Sequence, residues 1–226
     1  MLCKSFGCSF TYGTDLADTV HRKSHRSDYY IKPSQQTWPA LVAANFNMGY
    51  ICYAEPGCGN LRIMQAVLEE MAANPDPAFY IVNWTYIDRF DHTDKNNHWM
   101  TIMPTDEDKK SEVYYRDIHS SIRDKITNLV MIKFVIDRLE EKGHPFVMTC
   151  MDDHLLEREW NANLLIAQLQ DQIGSYIKTF DGQNFLEWTR QKNLPISPTD
   201  HPLEKAHAMA AELMVQNLDQ YLYHSA

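Results

Sequence analysis

The sequence predicts an α/β fold: a three-layer α/β/α sandwich around a central parallel sheet of about five strands. Three observations carry that expectation. Short apolar runs recur along the chain at Leu2–Phe6, Tyr50–Tyr53, Phe79–Val82 and Phe146–Cys150, with a weaker one at Tyr176–Phe180; compact apolar runs bounded by turn residues suit strands buried on both faces. Stretches with apolar residues at helical spacing separate them, so strand and helix alternate, the order that builds parallel sheets. The runs close in small or polar residues, which places those turns on one sheet edge, where open α/β sheets bind ligands.

Composition sets the outer limits. With 226 residues, 44% hydrophobic and 23% charged, the chain suits one large domain spanning 1–226 with a sizeable core. The net charge of −9 argues against broad nucleic-acid binding and against an anionic membrane surface. Five cysteines (Cys3, Cys8, Cys52, Cys58, Cys150) form no CxxC pair, so zinc-ribbon spacing is missing. An odd count without secretory-leader character points to a reducing compartment and a cytoplasmic location. The longest apolar stretches are too short for a membrane span.

The elements follow in order. Leu2, Cys3 and Phe6 read as a buried strand closing on Gly7-Cys8-Ser9. A serine at such an edge is either a nucleophile or a turn residue bonded to nearby backbone. Asp15 to Gln36 reads as a long polar loop, its basic residues His21, Arg22, Lys23, His25 and Arg26 either solvated or facing an anionic ligand. Thr37-Trp38-Pro39 starts a helix with proline in the first turn; Trp38, Leu41, Val42 and Phe46 share its spacing. The second strand ends in Glu55-Pro56-Gly57-Cys58-Gly59-Asn60, a turn cluster from which a helix runs, Leu61 to about Ala73. That turn offers free backbone N–H groups to anions, or is simply capped by Asn60.

Pro75-Asp76-Pro77 ends this helix. The third strand closes at Asn83-Trp84-Thr85, and the polar residues 91–110 read as an aperiodic insertion or flap. Ser111 to Glu141 carries a long helical pattern that Gly143 terminates, with room for a break into two helices. Strand four closes at Asp152-Asp153-His154. Leu164–Ile173 and Asn184–Lys192 read as helices around the weak fifth strand. A proline-rich loop, Leu194 to Pro202, leads into a last helix from Leu203 to about Tyr223, with Met209, Leu213, Leu218 and Leu222 inward.

Placed on this frame, the motifs resemble the SGNH (GDSL-like) hydrolase family over nearly the whole chain. Gly7-Cys8-Ser9 matches its first block, Gly-Asp-Ser, with Cys8 in place of aspartate. Gly57 matches the glycine of the second block, Asn83-Trp84-Thr85 lies where the third, Gly-x-Asn-Asp, belongs, and Asp200-His201-Pro202 matches the last, usually Asp-x-x-His. The GCSFT block, the PG-x-x-N turn and Asp88-Arg89-Phe90 are most similar to SGNH-type proteins of bacteria and tailed phages.

The resemblance implies a flavodoxin-like strand order, 2-1-3-4-5, and serine esterase chemistry without a cofactor. In it Ser9 is the nucleophile, His201 the general base and Asp200 the residue orienting it. The N–H groups of Ser9 and Gly57, with Asn83 or Thr85, form the oxyanion hole. Asp200 directly precedes His201, and neighbouring side chains of an extended segment point apart; a direct bond between them needs a turn, and otherwise another carboxylate or a carbonyl fixes the imidazole. The partner implied is a small-molecule, carbohydrate or lipid ester, with Trp84, Trp99 and the tyrosines at 29–30 and 114–115 either walling the site or packing the core. Three other readings compete: a non-catalytic binding module on the same fold, a phage structural or host-interaction protein, and a metal-dependent hydrolase using Asp152, Asp153 and His154.

Overall fold

A computed structural model describes residues 1–23, 28–158 and 163–222, excluding the side chains of 21–31 and 219–222. Along the chain run β1 (Leu2–Phe6), α1 (Ser9–Tyr12), β2 (Val20–Lys23), β3 (Asp28–Lys32), α2 (Trp38–Asn45), β4 (Gly49–Cys52) and α3 (Asn60–Ala73). There follow β5 (Ala78–Trp84), β6 (Phe90–Thr93), β7 (Trp99–Ile102), α4 (Lys109–Asp117), α5 (Ser121–Glu141) and β8 (Phe146–Cys150). The last elements are α6 (Leu164–Ile173), β9 (Ile177–Lys178), α7 (Phe185–Gln191) and α8 (Glu204–Leu222).

The main sheet has five strands in the order β4-β1-β5-β8-β9, all parallel. Counting only these strands along the chain, that is 2-1-3-4-5, the expected order. The apolar runs explain the centre: every residue of β5 is buried, as both faces of a helix-covered strand must be. Strand alternation sends neighbouring side chains to opposite layers. Lys4 of β1 pairs with Glu70 of α3 at 2.7 Å. Ser5, one residue on, bonds the Tyr50 hydroxyl at 2.7 Å, and Tyr50 in turn reaches Thr37 at the start of α2. α2 packs on α8, and α5 packs on both α3 and α6, giving the two helical layers. Trp38, Tyr80, Trp84 and Phe6 are the largest apolar side chains fully enclosed between them.

The structure corrects the sequence reading at several elements. Residues 15–36 are not simply a loop: β2 and β3 pair there as an antiparallel hairpin. The basic side chains at 21–26 lie outside the described residues. The 91–110 segment is likewise built on a hairpin, β6–β7. Its turn is made by Asp94, whose carboxylate accepts the N–H groups of Asn96 and His98, with Asn97 left-handed at φ 63°. Two four-residue strands carrying polar residues leave too little alternation to detect. The long helical pattern does break in two, because Ser120 caps a fresh start by accepting the Arg123 N–H. The fifth strand shrinks to two residues. In α8, Ala206, Ala210, Met214 and Leu218 are buried, while Met209 and Leu213 pack only partly against the core; Leu222's side chain is outside the described set. Among the described residues no helix is long and apolar enough to cross a membrane.

Candidate active site

Two turns at the carboxyl edge of the sheet are laced together. β1 ends at Phe6, and Gly7 carries the chain into α1 where no side chain would fit: a Cβ there would collide with Thr11 and lie 3.0 Å from the Asn83 carbonyl. The Gly7 carbonyl accepts the Glu55 N–H at 3.0 Å and the Cys58 thiol at 3.6 Å, which draws the glycine turn after β4 against the serine turn after β1. Ser9 opens α1, so its N–H has no partner within the helix. Gly57 is left-handed, φ 82°, a conformation that favours glycine. Neither N–H has an acceptor among the described residues. Ser9 and Gly57 both line one cavity of about 800 Å³, open to solvent. The Ser9 hydroxyl makes no hydrogen bond within the described residues.

His201 lines the same cavity. It comes from the loop before α8, a tight turn in which Ser197 N–H donates to the His201 carbonyl at 2.8 Å. Phe10, next to Ser9, packs on the imidazole with ring centroids 5.0 Å apart. The carboxylate that meets the ring is Asp15: its Oδ2 lies 2.9 Å from Nδ1. The same oxygen accepts the Ser197 hydroxyl at 2.6 Å and the Thr199 hydroxyl. Burial raises the Asp15 carboxyl's pKa, but those two hydroxyls and the His201 ring outweigh it and hold the carboxyl below its usual range. An ionised Asp15 accepting from Nδ1–H leaves Nε2 as the basic nitrogen.

Three sequence expectations need correction. Asp200 does not orient His201. It is left-handed at φ 62°, and its carboxylate accepts from Arg190 Nη2 at 3.0 Å instead. Asn83 and Thr85 do not line the cavity. The Asn83 amide is consumed beneath α1, donating to Thr11 Oγ1 at 3.2 Å and accepting from Thr149 at 2.8 Å. Thr85 is fully buried, its backbone gripped by Asn60, which accepts the Thr85 N–H at 2.8 Å and donates to its carbonyl at 3.0 Å. Two backbone N–H groups, without a side-chain donor from β5, make up the candidate anion site.

Asp152, Asp153 and His154 also border the cavity, each committed elsewhere. Asp152 accepts the Ile87 and His154 N–H groups, Asp153 accepts the Asn184 amide, and His154 lies 2.6 Å from Glu157. Among the described residues no three His, Cys, Asp or Glu side chains converge on a point that would hold a metal. Sequence reasoning missed Asp88 and Arg89 as cavity residues and Asp15 as the partner of His201. Burial and the neighbouring Asp152 raise the Asp88 carboxyl's pKa; Arg89 is held by the Cys58 carbonyl at 2.9 Å. The signal for Asp15 was its place in the loop directly after the serine turn; its partner lies 186 positions away.

Comparison with known proteins bears on the fold. No protein-family model matches the chain, and no curated protein matches its sequence. Solved structures share its fold. The psychrotrophic esterase EstA from Pseudoalteromonas is 7% identical, with a TM-score of 0.56 and 98% of each chain covered. TesA is 12% identical with a TM-score of 0.56, covering 98% of this chain and 100% of that one. An acetyl xylan esterase from the rumen bacterium Butyrivibrio proteoclasticus is 14% identical with a TM-score of 0.54, and the match spans 97% of this chain but 63% of that one. The class of fold is therefore the α/β architecture these proteins have in common.

Proposed function

We propose that the chain is a serine ester hydrolase of SGNH type, acting through Ser9, His201 and Asp15. The observation that carries this reading is that His201, held by Asp15 at 2.9 Å, lines the cavity that Ser9 and Gly57 also line. Ser9 Oγ adds to the ester carbonyl while His201 Nε2 takes its proton, and Asp15 holds Nδ1–H and stabilises the imidazolium. The carbonyl oxygen becomes an oxyanion held by the Ser9 and Gly57 N–H groups. Collapse breaks the bond to the alcohol, which leaves with the proton from His201. Water then adds to the acyl-enzyme, again giving its proton to His201, and the acid departs as Ser9 is restored. The Ser9 hydroxyl need not touch His201 beforehand, since such hydrogen bonds often tighten only with substrate bound.

Solved esterases with the same fold support the reading at the level of reaction class. The substrate is an ester small enough for an open cavity of about 800 Å³. The test is hydrolysis of p-nitrophenyl acetate by purified protein. Wild type should turn over, and Ser9→Ala and His201→Ala should each lose most of the rate; equal rates in all three would remove the proposal. One observation favours a second reading, a binding module on this scaffold: the Asn83 amide is spent on Thr11 and Thr149, so the anion site lacks a side-chain donor there. That reading requires a wild type that binds a ligand in the cavity without Ser9-dependent turnover.

A further inference from the structure

The hairpin β6–β7 packs against α3 and α4. It delivers a carboxylate beneath the glycine turn. Asp91, in β6, is 6% exposed. Its Oδ1 accepts the Gly59 N–H at 2.8 Å and the Thr101 hydroxyl at 2.6 Å, and its Oδ2 accepts the Arg62 N–H at 2.9 Å. Gly59 is the N-cap residue of α3, so Asp91 satisfies orphan donors of a helix that begins 31 residues earlier in the chain (Asn60 against Asp91). Ordinarily the N-cap side chain does this; Gly59 has none, and a Cβ there would sit 2.7 Å from the Asp91 carboxylate. Gly57 lies two residues before the anchored Gly59.

We infer that Asp91 is a positioning residue, which fixes the Gly57 N–H in its oxyanion-binding direction by clamping the start of α3. This rests on the ester-hydrolase reading. Charge and position make opposite predictions here. A negative charge near an oxyanion disfavours it, so charge alone predicts faster turnover when Asp91 is neutralised. Positioning predicts slower turnover, because an asparagine can accept from only one of the two backbone N–H groups.

The experiment compares kcat and KM for p-nitrophenyl acetate, the rate of inactivation by a phosphonate ester, and Tm. The proteins are wild type, Asp91→Asn, Thr101→Val and Thr101→Ser, assayed well below each Tm. Asp91→Asn should lower kcat and the inactivation rate together by about 10-fold, short of the 10²–10³ cost of deleting an oxyanion donor outright, with KM within twofold. Thr101→Val should show a smaller loss of the same kind, and Thr101→Ser should restore it. If Asp91→Asn does not fold, the two threonine variants decide alone. Variants with wild-type or raised kcat, or a loss confined to Tm, would overturn the inference while leaving the hydrolase reading intact. A wild type without Ser9-dependent turnover would overturn both.

Discussion

At the scale of single residues, the account turns on which carboxylate serves His201. Asp15 touches Nδ1 and Asp200 does not. Asp15→Asn keeps the shape but presents an amide where the ring must donate, which favours the wrong tautomer; kcat should fall by about 10³–10⁴-fold. Asp200→Asn should stay within about twofold of wild type. Equal effects of the two substitutions in steady-state assays would contradict the assignment.

His207, buried in α8 behind the site, gives a second prediction. Burial first, then the nearby His201, drives its pKa down to about 3, against a partial pull upward from the Pro202 carbonyl. The groups facing it are that carbonyl, the His201 ring, the Trp38 N–H, which donates to Nδ1 at 3.0 Å, and the Phe185 ring. A folded pKa below the unfolded value of about 6.5 means that the unfolded chain binds the proton first. Stability is therefore full above pH 6.5 and falls as the pH drops from there toward 3, by about 1.4 kcal/mol per unit from this group. Urea denaturation between pH 4 and 7 should show that slope, and His207→Asn, which retains an acceptor for Trp38, should flatten it.

At the scale of elements, buried polar groups hold the sheet edge next to Ser9 and Gly57. Asn60, the first residue of α3, accepts from and donates to the Thr85 backbone and donates to Asn128 of α5 at 2.7 Å. Three elements meet at one buried amide. Asn60→Ala strands the Thr85 N–H and carbonyl and the Asn128 oxygen, each costing about 1–3 kcal/mol if unsatisfied. A total loss of about 3 kcal/mol or more by chemical denaturation is expected; under 1 kcal/mol would show that water replaces the amide at little cost.

Elements also divide what the sequence reveals from what it hides. The strands β1, β5 and β8 announce themselves as apolar runs because they are largely buried, and β4, at the edge, because α2 packs on it. The paired strands β2–β3 and β6–β7 do not, since they are short and carry polar residues; the β6–β7 turn is held by the Asp94 carboxylate on Asn96 and His98. Ser9, Gly57 and His201 each sit at a turn marked in the local sequence, so their gathering at one cavity follows from topology. The fate of Asn83 does not: whether that amide faces the cavity or is consumed by Thr11 and Thr149 is decided by side-chain packing across the sheet. Asp15 is hidden for a related reason. Its bond to His201 joins the two ends of the chain, and the motif at 200–202 offers a nearer but misdirected acid.

At the scale of the whole molecule, the 2-1-3-4-5 parallel sheet helps bring Ser9, near the start of the chain, and His201, near its end, to one cavity. Four connections crossing the sheet achieve this without any side chain having to specify it. Catalysis under this account requires no more than that convergence, two free N–H groups and one properly held imidazole. The direct measurement is to treat native protein with a phosphonate ester and locate the adduct by mass spectrometry of its peptides. The account predicts a single adduct on Ser9, formed slowly in His201→Ala and Asp15→Asn and lost in Ser9→Ala. A folded wild type that forms no adduct, or one that persists in Ser9→Ala, would contradict it.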